Sequence, residues 1–97
     1  MEIQNAVSAL AALAQETRLE VFRLLVRAGH EGLPAGEIAE ALDVPPATLS
    51  FHLKELKSAG LVACERDGRS LIYTPDFGMM NQLLAFLTKN CCQGRER

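Results

Sequence analysis

Two adjacent cysteines, Cys91 and Cys92, are the residues of this sequence best suited to chemistry. Thiolate sulfurs are soft ligands, and two of them side by side suit a thiophilic ion. Lys89, Arg95 and Arg97 flank the pair, and nearby positive charge favours the thiolate form. The sequence therefore predicts an ion-binding site at Cys91 and Cys92.

Two other interpretations of this pair stay open. The thiols would serve as a redox or persulfide switch if they oxidise, although a disulfide between adjacent residues is strained and easily reduced. Alternatively, the two cysteines only cap the end of a helix and bind nothing. Zinc is a poorer candidate, because a structural zinc site needs four ligands and neither His30 nor His52 lies at ligand spacing from the pair.

The composition limits the class of protein. The chain has 97 residues, of which 48% are hydrophobic, and this is material for one domain over residues 1–97. The formal charge of -2 means that any contact with nucleic acid must come from a local patch. An odd number of cysteines, two of them adjacent, predicts reduced thiols, and neither a signal peptide nor a membrane span is evident. We therefore expect a cytoplasmic domain that needs no cofactor to fold.

An enzyme is not expected. The sequence has no glycine-rich phosphate loop, and no nucleophile, base and orienting acid occur at a suggestive spacing.

Helices must position the cysteine pair. Apolar residues recur three or four apart from Ile3 to Leu13, which predicts a first helix. A second helix should follow, with Thr17 and Glu20 as its capping box and Gly29 as its end.

Prolines and glycines mark the boundaries of the remaining elements. Pro34 is suited to open a short third helix, and Pro46 to open a fourth helix that ends at Gly60. Pro75 closes a hairpin, and Asp76 can cap a fifth helix. The predicted fold is mainly α with a β-hairpin wing, in the order α-α-α-α-β-β-α of a winged helix-turn-helix.

The fourth helix carries candidate DNA-binding residues. Leu49, Leu53 and Leu56 share a narrow arc and should face the core, so that Phe51 points away from it. An outward aromatic ring suits a major groove, where it can meet a thymine methyl group. We predict base contacts from Thr48, Ser50 and Phe51, and phosphate contacts from His52, Lys54 and Lys57.

The hairpin adds two further candidates. If Asp67 and Gly68 form a two-residue turn, Arg66 and Arg69 are directly opposed, and a phosphate beside them would relieve their repulsion. Exposed arginines at a hairpin tip are also well screened by solvent without any ligand. The same register places Cys64 on one sheet face with Val62, Leu71 and Tyr73, as a small buried hydrophobe.

These segments resemble the ArsR/SmtB family of bacterial metal and metalloid sensors. The resemblance covers about residues 10 to 74, and several of its motifs occur in the right order. The matching stretches are Leu13-Ala14-Gln15-Glu16-Thr17-Arg18-Leu19, Leu49-Ser50-Phe51-His52-Leu53-Lys54-Glu55-Leu56, Ala59-Gly60-Leu61-Val62, and Arg66-Asp67-Gly68-Arg69 with Tyr73.

The resemblance implies a homodimer built on the first and last helices, bound to a pseudo-palindromic operator as a repressor. The apolar first and fifth helices agree, because a monomer of this size does not easily cover both. Two departures limit the transfer. Pro45, Pro46 and Ala47 stand where many relatives have polar residues, so the operator sequence is not implied, and residues 37–43 lack the cysteine common in that family's third helix.

The resemblance further implies that trivalent arsenic or antimony is the inducer, bound by Cys91 and Cys92 in trigonal thiolate geometry. A third sulfur is needed. It would come from Cys64, a cysteine beyond the end of this sequence, a residue of the other subunit, or a small-molecule thiol, and the predicted burial of Cys64 disfavours it. A repressor of the same fold that answers to oxidants or persulfides, or to no metalloid, is the alternative.

Overall fold

The computed structural model describes residues 1–94, which form five α-helices and a small antiparallel sheet with strand order β1-β3-β2. This is the predicted winged helix-turn-helix, with the addition of a short strand and a turn of 3-10 helix over Gly29–Glu31. The helices are α1 (Ile3–Leu13), α2 (Glu16–Ala28), α3 (Ala35–Leu42), α4 (Pro46–Ser58) and α5 (Phe77–Thr88), and the strands are β1 (Leu33–Pro34), β2 (Val62–Asp67) and β3 (Ser70–Pro75).

Helix α1 buries its alanines and exposes its larger apolar side chains. Its buried residues are Ala6, Ala9 and Ala12, whose small side chains let the helix lie close to its neighbours. Val7 and Leu10 remain 58% and 42% exposed on the opposite side. The apolar stripe that the sequence predicts is therefore real, but it faces outward from the single chain.

The start of α2 differs from the prediction. Gln15, not Thr17, is the N-cap residue, and its side-chain oxygen accepts a hydrogen bond from the backbone N–H of Arg18 at 2.9 Å. The predicted capping box of Thr17 and Glu20 is wrong, because the helix already begins at Glu16. The predicted end is confirmed, since Gly29 follows the helix with a φ of 78°.

Strand β1 was not predicted from sequence, and a glycine allows it to pair. Leu33 lies opposite Tyr73 of β3. Just before it, Gly32 has a φ of 71°, and a Cβ atom placed there would lie 2.5 Å from the backbone oxygen of Tyr73. Only glycine has both the conformation and the space for this close approach.

The turn between α3 and α4 lies where the predicted helix start at Pro46 places it. Asp43 ends α3 in the left-handed conformation, with a φ of 53°. Pro46 occupies the first turn of α4, where its missing N–H costs no helical hydrogen bond. Leu49, Leu53 and Leu56 are all buried, so the predicted core face of α4 is confirmed.

The wing hairpin turns one residue later than predicted. Asp67 pairs with Ser70 and Arg66 with Leu71, so Gly68 and Arg69 form the turn. Gly68 has a φ of 65° and Arg69 is not in the left-handed region, as in a type II′ turn. The β3 partner of each β2 residue is therefore two positions further along the chain than predicted. Because the shift is even, the side chains stay on the predicted face of the sheet.

Helix α5 begins as predicted. The carboxylate of Asp76 accepts a hydrogen bond from the backbone N–H of Met79 at 2.9 Å. Leu83 is buried, whereas Leu84 and Leu87 are each 55% exposed. None of the helices between residues 1 and 94 combines the length and apolar character needed to cross a bilayer.

Candidate DNA-binding face and thiol site

One side of α4 is open to solvent. Phe51 is 55% exposed and lies on the side of the helix away from the buried leucines, as predicted. Its exposed neighbours are short hydroxyl side chains and lysines. We call this surface the α4 outer face, and it consists of Thr48, Ser50, Phe51, Lys54 and Lys57.

His52 differs from the rest of the predicted set. It is only 8% exposed, whereas the other predicted residues of α4 are exposed. A guanidinium nitrogen of Arg18, Nη1, lies 3.3 Å from His52 Nδ1. On a helical wheel, His52 lies beside the buried leucines of α4. Arg18, near the junction of α1 and α2, covers this side of the helix. Sequence periodicity alone cannot show which edge a neighbouring helix covers.

Arg18 is the residue that sequence reasoning missed. Its Nε donates a hydrogen bond to the backbone oxygen of Ala12 at 2.8 Å, so one side chain connects α1 to α4. The only signal in the sequence is an arginine beside the predicted start of a helix, and this does not identify partners six and 34 residues away.

The wing arginines are exposed but not opposed. Arg66 faces Leu71 across the hairpin, and Arg69 lies within the turn. The predicted repulsion between them is therefore wrong, because it depended on a turn at Asp67 and Gly68. Both side chains still project from the wing, where they can meet an anionic surface.

The two adjacent cysteines lie just after α5 and are exposed. Their sulfur atoms are 2.6 Å apart, close enough for one ion to bond both. The backbone N–H of Cys91 donates to the oxygen of Thr88 at 2.9 Å, and the hydroxyl of Thr88 donates to the oxygen of Leu84 at 2.9 Å. Hydrogen bonds thus tie the pair to the last turn of α5.

The acidity of Cys91 differs from the prediction. The pKa of Cys91 is raised above its ordinary value, first because its thiol is hydrogen-bonded to Cys92, which favours the protonated form. Lys89, the described cation of the three, is not among the causes of this shift. Arg95 and Arg97, on which part of that prediction depended, lie outside the described residues.

Cys64 has a different partner. It is partly buried on β2 and pairs across the strand with Tyr73, on the sheet face predicted from sequence. Burial raises the pKa of Tyr73, and the hydrogen-bonded side chain of Cys64 raises it further. Within residues 1–94, no group of three or more Cys, His, Asp or Glu side chains is arranged to hold a metal ion.

A second exposed surface is apolar. Helices α1 and α5 contact each other, and each presents large aliphatic side chains to solvent. We call this surface the α1–α5 apolar face, and it consists of Ile3, Val7, Leu10, Leu84 and Leu87.

Comparison with known proteins finds relatives that are helix-turn-helix regulators. A family described as a helix-turn-helix domain matches residues 13–65. The chain is 41% identical over 61% of its length to the transcriptional regulator YceK of Bacillus subtilis, and 43% identical over 69% of its length to the arsenical resistance operon repressor ArsR of Halobacterium salinarum. It spans 58% and 51% of the lengths of these two relatives.

A solved structure shows that the similarity includes the fold. An ArsR-like transcriptional regulator from Rhodococcus sp. RHA1 superimposes with a TM-score of 0.80 at 29% identity, over 90% of this chain and 79% of that one. The fold and the open face of α4 define a winged helix-turn-helix DNA-binding domain. Within that class, the chain belongs to the ArsR/SmtB family of transcriptional regulators. These relatives are named as regulators rather than enzymes, in agreement with the sequence analysis.

Proposed function

We propose that this protein is a dimeric repressor that releases its operator when trivalent arsenic or antimony binds Cys91 and Cys92. The observation that carries the proposal is the pair of exposed sulfur atoms, 2.6 Å apart, at the end of a helix with an unburied apolar side. The pair supplies the ligand chemistry, and the helix supplies a route to the rest of the molecule.

The α4 outer face is suited to a major groove. The ring of Phe51 can contact a thymine methyl group, and the hydroxyl groups of Thr48 and Ser50 can reach base edges or phosphates. Lys54 and Lys57 neutralise phosphates and fix the position of the helix. Arg66 and Arg69 on the wing extend the positively charged surface towards the neighbouring phosphates of the DNA.

The α1–α5 apolar face is suited to a second copy of the chain. Large aliphatic side chains such as Val7 and Leu84 are more than half exposed, and burial of such a surface stabilises a symmetric dimer. Two α4 helices related by a two-fold axis then read two half-sites of a pseudo-palindromic duplex, about one helical turn apart.

The binding reaction involves no change of oxidation state. Each thiol proton leaves with a hydroxyl group of arsenous acid as water, while one arsenic–sulfur bond forms. Cys91 and Cys92 account for two such bonds. Cys64 is engaged with Tyr73 on the sheet, which favours a third sulfur from a small-molecule thiol, a further cysteine of the protein or the other subunit.

The connection between the pair and the dimer runs through the last turn of α5. Cys91 is bonded to Thr88, and Thr88 to Leu84, which belongs to the α1–α5 apolar face. An ion bonded to both sulfurs fixes their separation and orientation, and it can therefore shift the packing of the two subunits. A coupling of about 1 to 3 kcal/mol is typical of allostery and corresponds to a several-fold or larger loss of affinity. The ion must bind more tightly to the form that does not bind DNA.

The relatives support the inducer by analogy. The Halobacterium salinarum protein is named as an arsenical resistance operon repressor, and it is 43% identical over the matched part. Because this chain spans 51% of that protein, the inducer of the whole relative is carried over here only as a proposal.

The test measures operator affinity with and without the inducer. A binding duplex is first selected from a random library with the wild-type protein, and its affinity is then followed by fluorescence anisotropy. We expect arsenite with glutathione to weaken binding by wild type but not by Cys91→Ser or Cys92→Ser. Phenylarsine oxide, whose arsenic already carries one carbon, needs only two thiols and should act without glutathione.

Cys64→Ser is the matched control, and we expect it to respond like wild type. If wild-type affinity is the same with and without both arsenicals, the inducer proposal is wrong. If hydrogen peroxide releases the duplex and the arsenicals do not, the pair is a redox switch instead.

A further inference from the structure

Arg18, His52 and Phe51 form a continuous series of contacts from α1 to the α4 outer face. Arg18 Nε donates to the oxygen of Ala12 in the last turn of α1, at 2.8 Å. Arg18 Nη1 lies 3.3 Å from Nδ1 of His52. The ring of His52 meets the ring of Phe51 edge-on, with 5.6 Å between the ring centroids and 61° between the planes.

The chemistry of these groups fixes the direction of each contact. A guanidinium group has donors and no acceptor, so a hydrogen bond between the two groups requires Nδ1 of His52 to accept. His52 is 8% exposed, and water therefore does not readily replace Arg18 as its donor. The planar fork of arginine serves both partners at once, which the point charge of a lysine does not.

We propose that Arg18 and His52 are positioning residues that hold Phe51 in a fixed place relative to the end of α1. A shift of α1 moves Ala12, and the rigid guanidinium passes this displacement to His52 and then to the ring of Phe51. The consequence for DNA rests on the proposed function, in which α1 packs at the dimer interface and Phe51 meets the bases. His52 thus acts inside the protein, although the sequence predicted that it contacts a phosphate group.

The contacts can be tested without DNA. In long-range nitrogen–proton NMR spectra, we expect wild-type His52 to carry its proton on Nε2 and to accept at Nδ1. Arg18→Met should shift the Nδ1 resonance of His52 and the ring resonances of Phe51. Arg23→Met removes an exposed arginine from the same helix and should shift neither. Unchanged His52 and Phe51 resonances in Arg18→Met would overturn the proposal.

The consequence for recognition is tested with the selected duplex and an unrelated duplex. Arg18→Met and His52→Phe should each lower affinity for the selected duplex about tenfold, within the usual range of coupling between sites, and leave the unrelated duplex unaffected. The double variant should lose no more than the weaker-binding single variant, since both break one connection. His52→Gln keeps an acceptor and should restore much of the affinity.

Equal losses on both duplexes, or additive losses in the double variant, would show that these residues only stabilise the fold. A lower melting temperature with unchanged discrimination between the duplexes would have the same meaning. A wild-type protein that binds no duplex would overturn the proposed function, and the NMR comparison would still decide whether Arg18 positions Phe51.

Discussion

The α4 outer face and the α1–α5 apolar face differ in what they offer a partner. The α4 outer face combines one aromatic ring with hydroxyl groups and two lysines. The α1–α5 apolar face presents only aliphatic side chains, between 42% and 66% exposed. A hydrated, anionic partner suits the first surface, whereas a partner that excludes water suits the second.

The difference shows how a chain with a net charge of -2 can bind DNA. Four positive groups, Lys54, Lys57, Arg66 and Arg69, lie on α4 and the wing, so the local field and not the total charge decides the partner. The exposed aliphatic residues of α1 and α5 lie on a surface that a second copy can cover. The following variants test this division, from the largest expected effect to the smallest.

Charging the apolar face should have the largest effect. In Leu10→Glu/Leu84→Glu, a dimer would have to bury unpaired carboxylates, so we expect dimer dissociation to increase about a hundredfold or more and operator binding to be lost. Analytical ultracentrifugation measures the first effect and anisotropy the second. Leu19→Glu, at a leucine 44% exposed on α2, is the control and should remain dimeric. A dimer of normal strength in the double variant would refute the assignment of this face.

Removing the aromatic ring should affect recognition without affecting folding. Phe51 is 55% exposed, so we expect Phe51→Ala to melt close to the wild-type temperature. Loss of one base contact costs about 1 to 3 kcal/mol, which is about a tenfold to hundredfold loss on the selected duplex and little change on an unrelated one. Equal affinity of Phe51→Ala and wild type for the selected duplex would exclude a base contact from this ring.

Neutralising the lysines should weaken binding evenly. Lys54→Gln and Lys57→Gln each remove one predicted phosphate contact, so we expect the slope of log affinity against log salt to fall by about 1 for each substitution. The selected and unrelated duplexes should be affected alike. Lys89→Gln, at the end of α5, is the control, and its salt slope should match wild type. A slope that does not change in either α4 variant would place these lysines away from the duplex.

The smallest expected effect concerns the acidity of Cys91. Its pKa is raised because its thiol is hydrogen-bonded to Cys92. Cys92→Ala removes that partner, so the pKa of Cys91 should fall and its thiolate should form at a lower pH. The rate of alkylation by iodoacetamide, followed at Cys91 by fragment mass spectrometry, should therefore reach its midpoint at lower pH than in wild type. A midpoint that moves upward would contradict the hydrogen bond.

Local patterns predicted much of the fold. The spacing of Leu49, Leu53 and Leu56 fixed the inner side of α4 and hence the exposure of Phe51, because helical periodicity follows from backbone geometry alone. Pro46 and Asp76 marked helix starts through their own backbone and side-chain chemistry. Such signals depend on neighbours within a few residues.

Tertiary contacts account for what the sequence did not predict. Gly68 satisfies a turn at either of two positions, and β3 also pairs with β1 through Tyr73 and Leu33, a constraint that is absent from the hairpin sequence. Gln15 caps α2 although glutamine is not a favoured N-cap residue. His52 is covered because Arg18 packs over its flank, and no local pattern reveals that contact.

The position of the cysteine pair has a consequence for how such regulators diversify. Cys91 and Cys92 lie outside the buried core, and one main-chain hydrogen bond, from Cys91 to Thr88, attaches them to the last turn of α5. Other residues can form the same bond. Under the proposed function, substitutions there exchange one detected chemical for another while the DNA-reading half keeps its shape. Specificity for the signal and specificity for the promoter can then evolve as separate traits in one small polypeptide.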